Sequence, residues 1–271
     1  MESGAAHARL WLVGAGNMGG SMLRRWVASG IAPDRITVID PGNPIVPEGV
    51  RVVATAPDGP MPDIVVLAVK PQLIDQALPT LRRETGAGGP AILVSILAGV
   101  EIDALRRRFA AQAYVRAMPN LPVAIGKGVV ALHSDSDVPA VRGAAEALMA
   151  PLGLVEWVDQ PLFDVVTALS GSGPGFTYRF IDALAQAGAE LGLPADQSLR
   201  LARATVEGSA ILAAESDETP GALADRVASK GGSTREGLNI LDRDDALVEL
   251  LTATIDAATR RNAEMAAEAR G

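Results

Sequence analysis

Three glycines, Gly14, Gly16 and Gly19, stand as G-x-G-x-x-G within LWLVGAGNMGGSML. That spacing serves the binding of a pyrophosphate by main chain rather than by side chains. The first glycine makes the tight turn, the second lets backbone approach the phosphates, and the third lets a helix pack closely on a strand. The pattern here follows an apolar run and opens a helical stretch, which is the context that gives it meaning. Ala15, Asn17 and Met18 lie between the glycines, and free N–H groups at such a helix start accept phosphate charge. Asp40 closes the next apolar run, at the position where an acid accepts from ribose hydroxyls and repels a 2′-phosphate. No Lys or Arg follows it in Pro41-Gly42-Asn43-Pro44. This leans towards NAD, while Asn43, a neutral donor for a phosphate, keeps NADP open.

Further polar and apolar groups close other apolar runs. Ligands of such domains sit beyond the carboxyl ends of the strands. Ala68-Val69-Lys70 ends one run, and Lys70 reaches a ribose or a phosphate there, or is a surface lysine before a proline-started helix. Leu97 is placed to pack on a nicotinamide and Asn120 to bond its carboxamide. In the second half, Ser170 lies in TALSGSGPGF, where Ser-Gly-Ser-Gly predicts a helix break and a fresh helix start at Pro174. SKGGSTREGL is similar in kind. Gly231 and Gly232 free the backbone, Ser233 and Thr234 bring hydroxyls, and the amides make a nest for an anion. With a dinucleotide in the first glycine loop, these later segments suit a small carboxylate substrate.

The elements that must hold these residues fall into two grammars. RLWLVG, RITVID, VRVVA, DIVVLAV, AILVSI, AYVRAMP, GVVALH and LVEWV read as strands, being short, apolar and bounded by Gly, Pro or Asp. Continuous apolar runs suit strands covered on both faces, as in a parallel sheet. Met18–Ser29, Gln72–Arg83, Ile102–Phe109 and Ala140–Met149 read as helices between them. The alternation predicts an α/β Rossmann-like dinucleotide-binding domain over 1–158. From 159 to 271 the spacing is helical throughout, which predicts an all-α domain for substrate binding and dimerisation.

Composition bounds the rest. Four Phe, three Trp and two Tyr in 271 residues imply an aliphatic core, and a formal charge of −8 argues against a nucleic-acid partner. Arg106-Arg107-Arg108 reads as a solvated helix face. Cysteine is absent, and His7 and His133 are isolated, so neither a thiolate nucleophile nor a metal site is expected. No signal peptide and no membrane-length apolar run is read, which points to a cytoplasmic protein without membrane contact.

GAGNMG, AVKPQ, MPN, ALSGSGP and SKGGST occur in an order and rough spacing that resemble the Δ1-pyrroline-5-carboxylate reductases, over nearly the whole chain. The resemblance implies reduction of the cyclic imine L-1-pyrroline-5-carboxylate to L-proline by NADPH or NADH. It also implies dimers built through the helical half, and decamers. Gly14 to Gly19, Ala68 to Lys70 and Leu97 fall on cofactor positions, and Ser233 and Thr234 on substrate positions. The glycine loop would then hold the substrate carboxylate, with the Thr234 hydroxyl near the ring nitrogen as the catalytic group. The sequence departs from that pattern at Gln160, where an acid is common, and at Gly175, usually Ala. It departs also at Lys230, usually Pro, and at Arg235 and Glu236, usually apolar or small. Two other readings stand beside this one: a reductase of another carboxylated imine or keto acid, and a silent NAD(P)-binding regulator.

Overall fold

The computed structural model describes residues 8–77, 79 and 89–270. Eight strands form one sheet in the order β3-β2-β1-β4-β5-β6-β7-β8. They are β1 (Leu10–Val13), β2 (Ile36–Ile39), β3 (Arg51–Val53), β4 (Ile64–Leu67), β5 (Ile92–Ser95), β6 (Ala113–Pro119), β7 (Gly128–Ser134) and β8 (Gly153–Trp157). The first six pair in parallel. Their order reverses direction between β1 and β4, the switch point at which such sheets open a ligand crevice. β7 then runs antiparallel to β6, and β8 parallel to β7.

The apolar runs are continuous because both faces of the sheet are buried. Along β1, Leu10 and Leu12 join one core cluster and Trp11 and Val13 another. Side chains alternate across a strand, so a doubly covered strand has no polar face to show. The core is mainly aliphatic, yet Trp26, Phe109 and Phe163 are among its largest fully buried side chains. The indole N–H of Trp26 donates to the Leu148 carbonyl at 2.7 Å, tying α1 (Asn17–Ala28) to the far end of α3 (Pro139–Met149).

α2 (Ile102–Arg108) follows β5, as expected. Of the helix expected over Gln72–Arg83, a short 3₁₀ turn at Pro71–Leu73 is described. Residues 78 and 80–83 of that stretch lie outside the described residues, as does His7. No helix links β2 to β3; residues 40–50 cross as a loop, with Asn43 at φ 48°.

Helices take over after β8: α4 (Phe163–Val166), α5 (Gly173–Glu190), α6 (Ala195–Glu215), α7 (Pro220–Val227), α8 (Ser233–Leu241) and α9 (Ala246–Arg270). By compactness the chain divides differently from its secondary structure. One unit runs to Ser172 and regains the chain from Ala258, and the other is Gly173–Ala257. In the first unit, Asn262 Nδ2 donates to the Asp164 carbonyl at 3.1 Å, and the main chain at Met265 and Ala266 lies against Gly99. In the second, α5 and α6 pair closely: a Cβ at Gly188 would meet Ser198 Oγ at 2.3 Å, and that hydroxyl donates to the Ala185 carbonyl at 2.7 Å. Among the described residues no helix is long and apolar enough to cross a membrane.

Candidate functional site

At the switch point the glycine turn fits a dinucleotide by what it leaves out. Gly14 sits at φ +88°, and a Cβ there would meet the Ala68 carbonyl oxygen at 2.8 Å. A Cβ on Gly19 would stand 2.3 Å from the Gly14 carbonyl, whereas Gly16 opens onto free space. Helix and strand therefore close on each other at two of the glycines, and main chain is bared at the third. No side chain caps α1 at Gly16 and no acid lies in its first turn. The N–H groups at that helix start are unsatisfied by side chains and carry the positive end of the helix dipole.

A cavity of about 790 Å³ adjoins this turn. Gly14, Gly16, Asp40, Ala68, Val69 and Lys70 all line it, as do Thr55 and Gln76. Six positions named from the sequence thus come together on one cavity. Ala15 holds its place through Asp40: the carboxylate accepts from Ala15 N and from Gly42 N, both at 2.8 Å. Asp40 thereby braces the glycine turn besides facing the cavity. Thr55 and Gln76 were missed because nothing in their local sequence signals a ligand; they are brought in by the start of the β3–β4 loop and the turn after Lys70.

Two further expectations meet a different geometry. Leu97 is 3% exposed and its side chain belongs to the core cluster around Val13 and Leu67. The Asn120 amide is engaged at both ends. Its Oδ1 accepts from Val129 N and its Nδ2 donates to the Ser170 carbonyl, each at 2.9 Å.

Ser170 sits just before the helix break that the sequence predicts: the chain bends at Ser172, and α5 starts at Gly173 with Pro174 in its first turn. Residues Thr167–Gly171 form a π-helical turn joined to α4. Ser172 N donates to the Thr167 carbonyl at 3.1 Å, the wider reach of a π turn. Ser170 Oγ turns back onto the Val166 carbonyl at 2.8 Å. The Ser-Gly-Ser-Gly segment therefore closes one helical run with an extra residue in its last turn, before the bend at Ser172. Such π turns gather at functional sites.

Beside this turn lies a buried cation that the sequence reading passed over. Arg116, 3% exposed on β6, stacks on the Phe163 ring at 4.1 Å and donates to Gln160 Oε1 at 3.0 Å. Burial pushes its guanidinium below the usual range, and the charges of Asp164 and Glu101 pull it back. The signal was present: an arginine inside an otherwise apolar buried strand needs a reason. His133, opposite Arg116 on β7, presents Nδ1 to the Val158 carbonyl at 2.9 Å, a structural use.

In the second unit, Gly231 at φ +73° turns the chain into α8, and Gly232 N donates to the Ser229 carbonyl at 2.9 Å. No side chain caps α8. Ser233 and Thr234 begin it, exposed, with their hydroxyls beside the free amides. Arg235 is drawn away from this end by Asp225 of α7, at 2.6 Å. Lys230 stays exposed in the turn.

The family described as pyrroline-5-carboxylate reductase dimerisation matches residues 160–265. Residues 9–99 match the family described as NADP oxidoreductase, coenzyme F420-dependent. A pyrroline-5-carboxylate reductase of Synechocystis sp. is 34% identical, over 95% of this chain and 98% of that protein. A solved pyrroline-5-carboxylate reductase from Coxiella burnetii superposes with a TM-score of 0.82 at 27% identity, covering 95% of this chain and 98% of the other. The pyrroline carboxylate reductase of Plasmodium falciparum, solved with NADP bound, shares the fold with a TM-score of 0.77 at 24% identity, over 96% and 99% of the two chains.

Proposed function

This chain belongs to the pyrroline-5-carboxylate reductase family, and on that premise we propose which of its residues carry the NAD(P)H-dependent reduction of L-1-pyrroline-5-carboxylate to L-proline. When bound, the reduced nicotinamide supplies the hydride. Gly14, Gly16 and Gly19 clear the way for the pyrophosphate, and the amides at Asn17 and Met18 receive its charge. Lys70, at the rim of the same cavity, offsets a phosphate or holds a ribose hydroxyl. Leu97 shapes this end from within the core, while Ser170, bonded to Asn120, belongs to the substrate side.

The amides of Ser233 and Thr234 take the substrate carboxylate, with Gly231 and Gly232 shaping the turn and the Ser233 hydroxyl as a further donor. The Thr234 hydroxyl donates to, or relays a proton at, the ring nitrogen. Little acid catalysis is asked of the chain, because a cyclic imine is basic enough to arrive partly protonated. Orientation does most of it: fixing a near-attack geometry supplies roughly 7–11 kcal/mol. The observation that carries this assignment is the start of α8, where a left-handed glycine exposes uncapped amides beside two hydroxyls.

Lys230 favours a second reading at one point. A cation in the turn, where the family resemblance has proline, strengthens binding of any small carboxylate and so admits another imino or keto acid. Self-association follows from the dimerisation family match. We place the dimer contact on the second unit, with decamers of those dimers and a cytoplasmic location as parts of the same proposal. The test is steady-state oxidation of NADPH and of NADH, followed at the nicotinamide band, with pyrroline-5-carboxylate and with a panel of 2-oxo acids. The proposal expects turnover on the imine and at most traces on the oxo acids. Preference for an oxo acid, or binding without turnover, overturns it.

A further inference from the structure

The Ser170 carbonyl lies at the end of a helical run, where the last carbonyls need partners from outside the helix. In a continuing helix it accepts from the N–H four residues on. That residue is Pro174, which has no N–H to give. A carbonyl shielded from water and left without a donor costs up to about as much as a lost hydrogen bond, and Ser170 is half-buried. Asn120 fills the gap: its Nδ2 reaches the Ser170 carbonyl at 2.9 Å from the end of β6. Its other end is fixed by Val129 N at 2.9 Å, and the residue is 7% exposed. The amide therefore has one available orientation, donor towards Ser170.

We propose that Asn120 is a positioning residue of the reductase, which holds the π turn Thr167–Gly171 in register by replacing the N–H that Pro174 lacks. This rests on the functional reading above, in which Ser170 belongs to the substrate side. Val129 N, on β7, fixes the amide, the amide fixes the Ser170 carbonyl, and the π turn keeps its shape. The dinucleotide cavity does not include Asn120 among its lining residues, so the effect of losing it falls on the substrate.

Asn120→Asp tests this with little change of shape. The aspartate keeps an acceptor for Val129 N, removes the donor to Ser170 and sets a carboxylate oxygen against that carbonyl. Pro174→Ala restores a main-chain N–H four residues after Ser170, so it supplies the missing donor by another route. Asn120→Asp is expected to lower kcat/KM for pyrroline-5-carboxylate about tenfold or more, as small misplacements do, with the Kd for NADPH within about twofold of wild type. The double variant Asn120→Asp/Pro174→Ala is expected to recover a substantial part of the loss. Amide hydrogen exchange of the segment 166–173 gives a readout free of turnover. It should speed up in Asn120→Asp and slow again in the double variant.

Weakened NADPH binding in Asn120→Asp, unchanged by Pro174→Ala, makes Asn120 a cofactor ligand and overturns the proposal. So does unaltered exchange and kinetics in Asn120→Asp. If wild type fails to reduce pyrroline-5-carboxylate, the functional reading falls, and the exchange experiment still decides the positioning role.

Discussion

At the scale of single residues, chemistry and support separate cleanly. Thr234 touches the substrate in the proposed mechanism, whereas Asp40 and Asn120 mainly hold main chain in place. Thr234→Ala should therefore lower kcat by about 10²-fold, the lower end of what a positioned proton donor contributes. The Kd for NADPH, measured by nicotinamide fluorescence, should stay within about twofold. Thr234→Ser, which keeps the hydroxyl, should recover most of the rate. Equal rates in Thr234→Ala and wild type would remove this hydroxyl from the mechanism. Residue identity was legible where the reason is local: Gly14 and Gly19 must be glycine because of a turn and a close approach. It was less legible at Asn120, whose partners Val129 and Ser170 come from other elements, and at Leu97, whose apolar side chain suits core and cofactor alike.

At the scale of elements, strands were legible because burial on both faces leaves continuous apolar runs. The antiparallel direction of β7 was not, since an apolar run carries no sense of direction. The π turn was hidden for a related reason. Ser-Gly-Ser-Gly followed by proline reads as a break, which is present at Ser172, but the widened turn before it, tied to Asn120 of another element, leaves no local signal. Arg116 adds a second tie between β6 and this stretch through Gln160 and Phe163. Here a buried cation is bonded to a neutral amide, and a carboxylate in its place adds the direct attraction of opposite charges to a bond the guanidinium already strengthens. Since the desolvation of Arg116 is already met in the native fold, Gln160→Glu should stabilise by about 1 kcal/mol. Differential scanning calorimetry should show a Tm higher by a few degrees. A lower Tm would mean that the cost of partly burying a new carboxylate exceeds the gain.

At the scale of the whole molecule, two units share the chain, and the split was only partly readable. Helical spacing begins after β8, but the α4 and π-turn stretch packs into the first unit through Phe163, Arg116 and Asn120. The tail of α9 returns to that unit against Gly99, a contact no local pattern announces. The second unit exposes large apolar side chains, Tyr178, Phe180 and Leu184 on α5 and Ile211 and Leu212 on α6 among them. Patches of that kind mark association surfaces. Sedimentation should find a dimer or a multiple of it, and Phe180→Glu or Leu212→Glu should shift the population towards monomer. A wild-type monomer at micromolar concentration would refute this.

The claim on which the account turns is that the glycine turn into α8 receives the carboxylate of the imino acid. A crystal structure of the protein with NADP⁺ and L-proline tests it most directly. The account predicts the proline carboxylate on the amides of Ser233 and Thr234 and the Thr234 hydroxyl within hydrogen-bond distance of the ring nitrogen. Proline bound with its carboxylate on other groups, and residues 231–234 of every subunit bare, would contradict it.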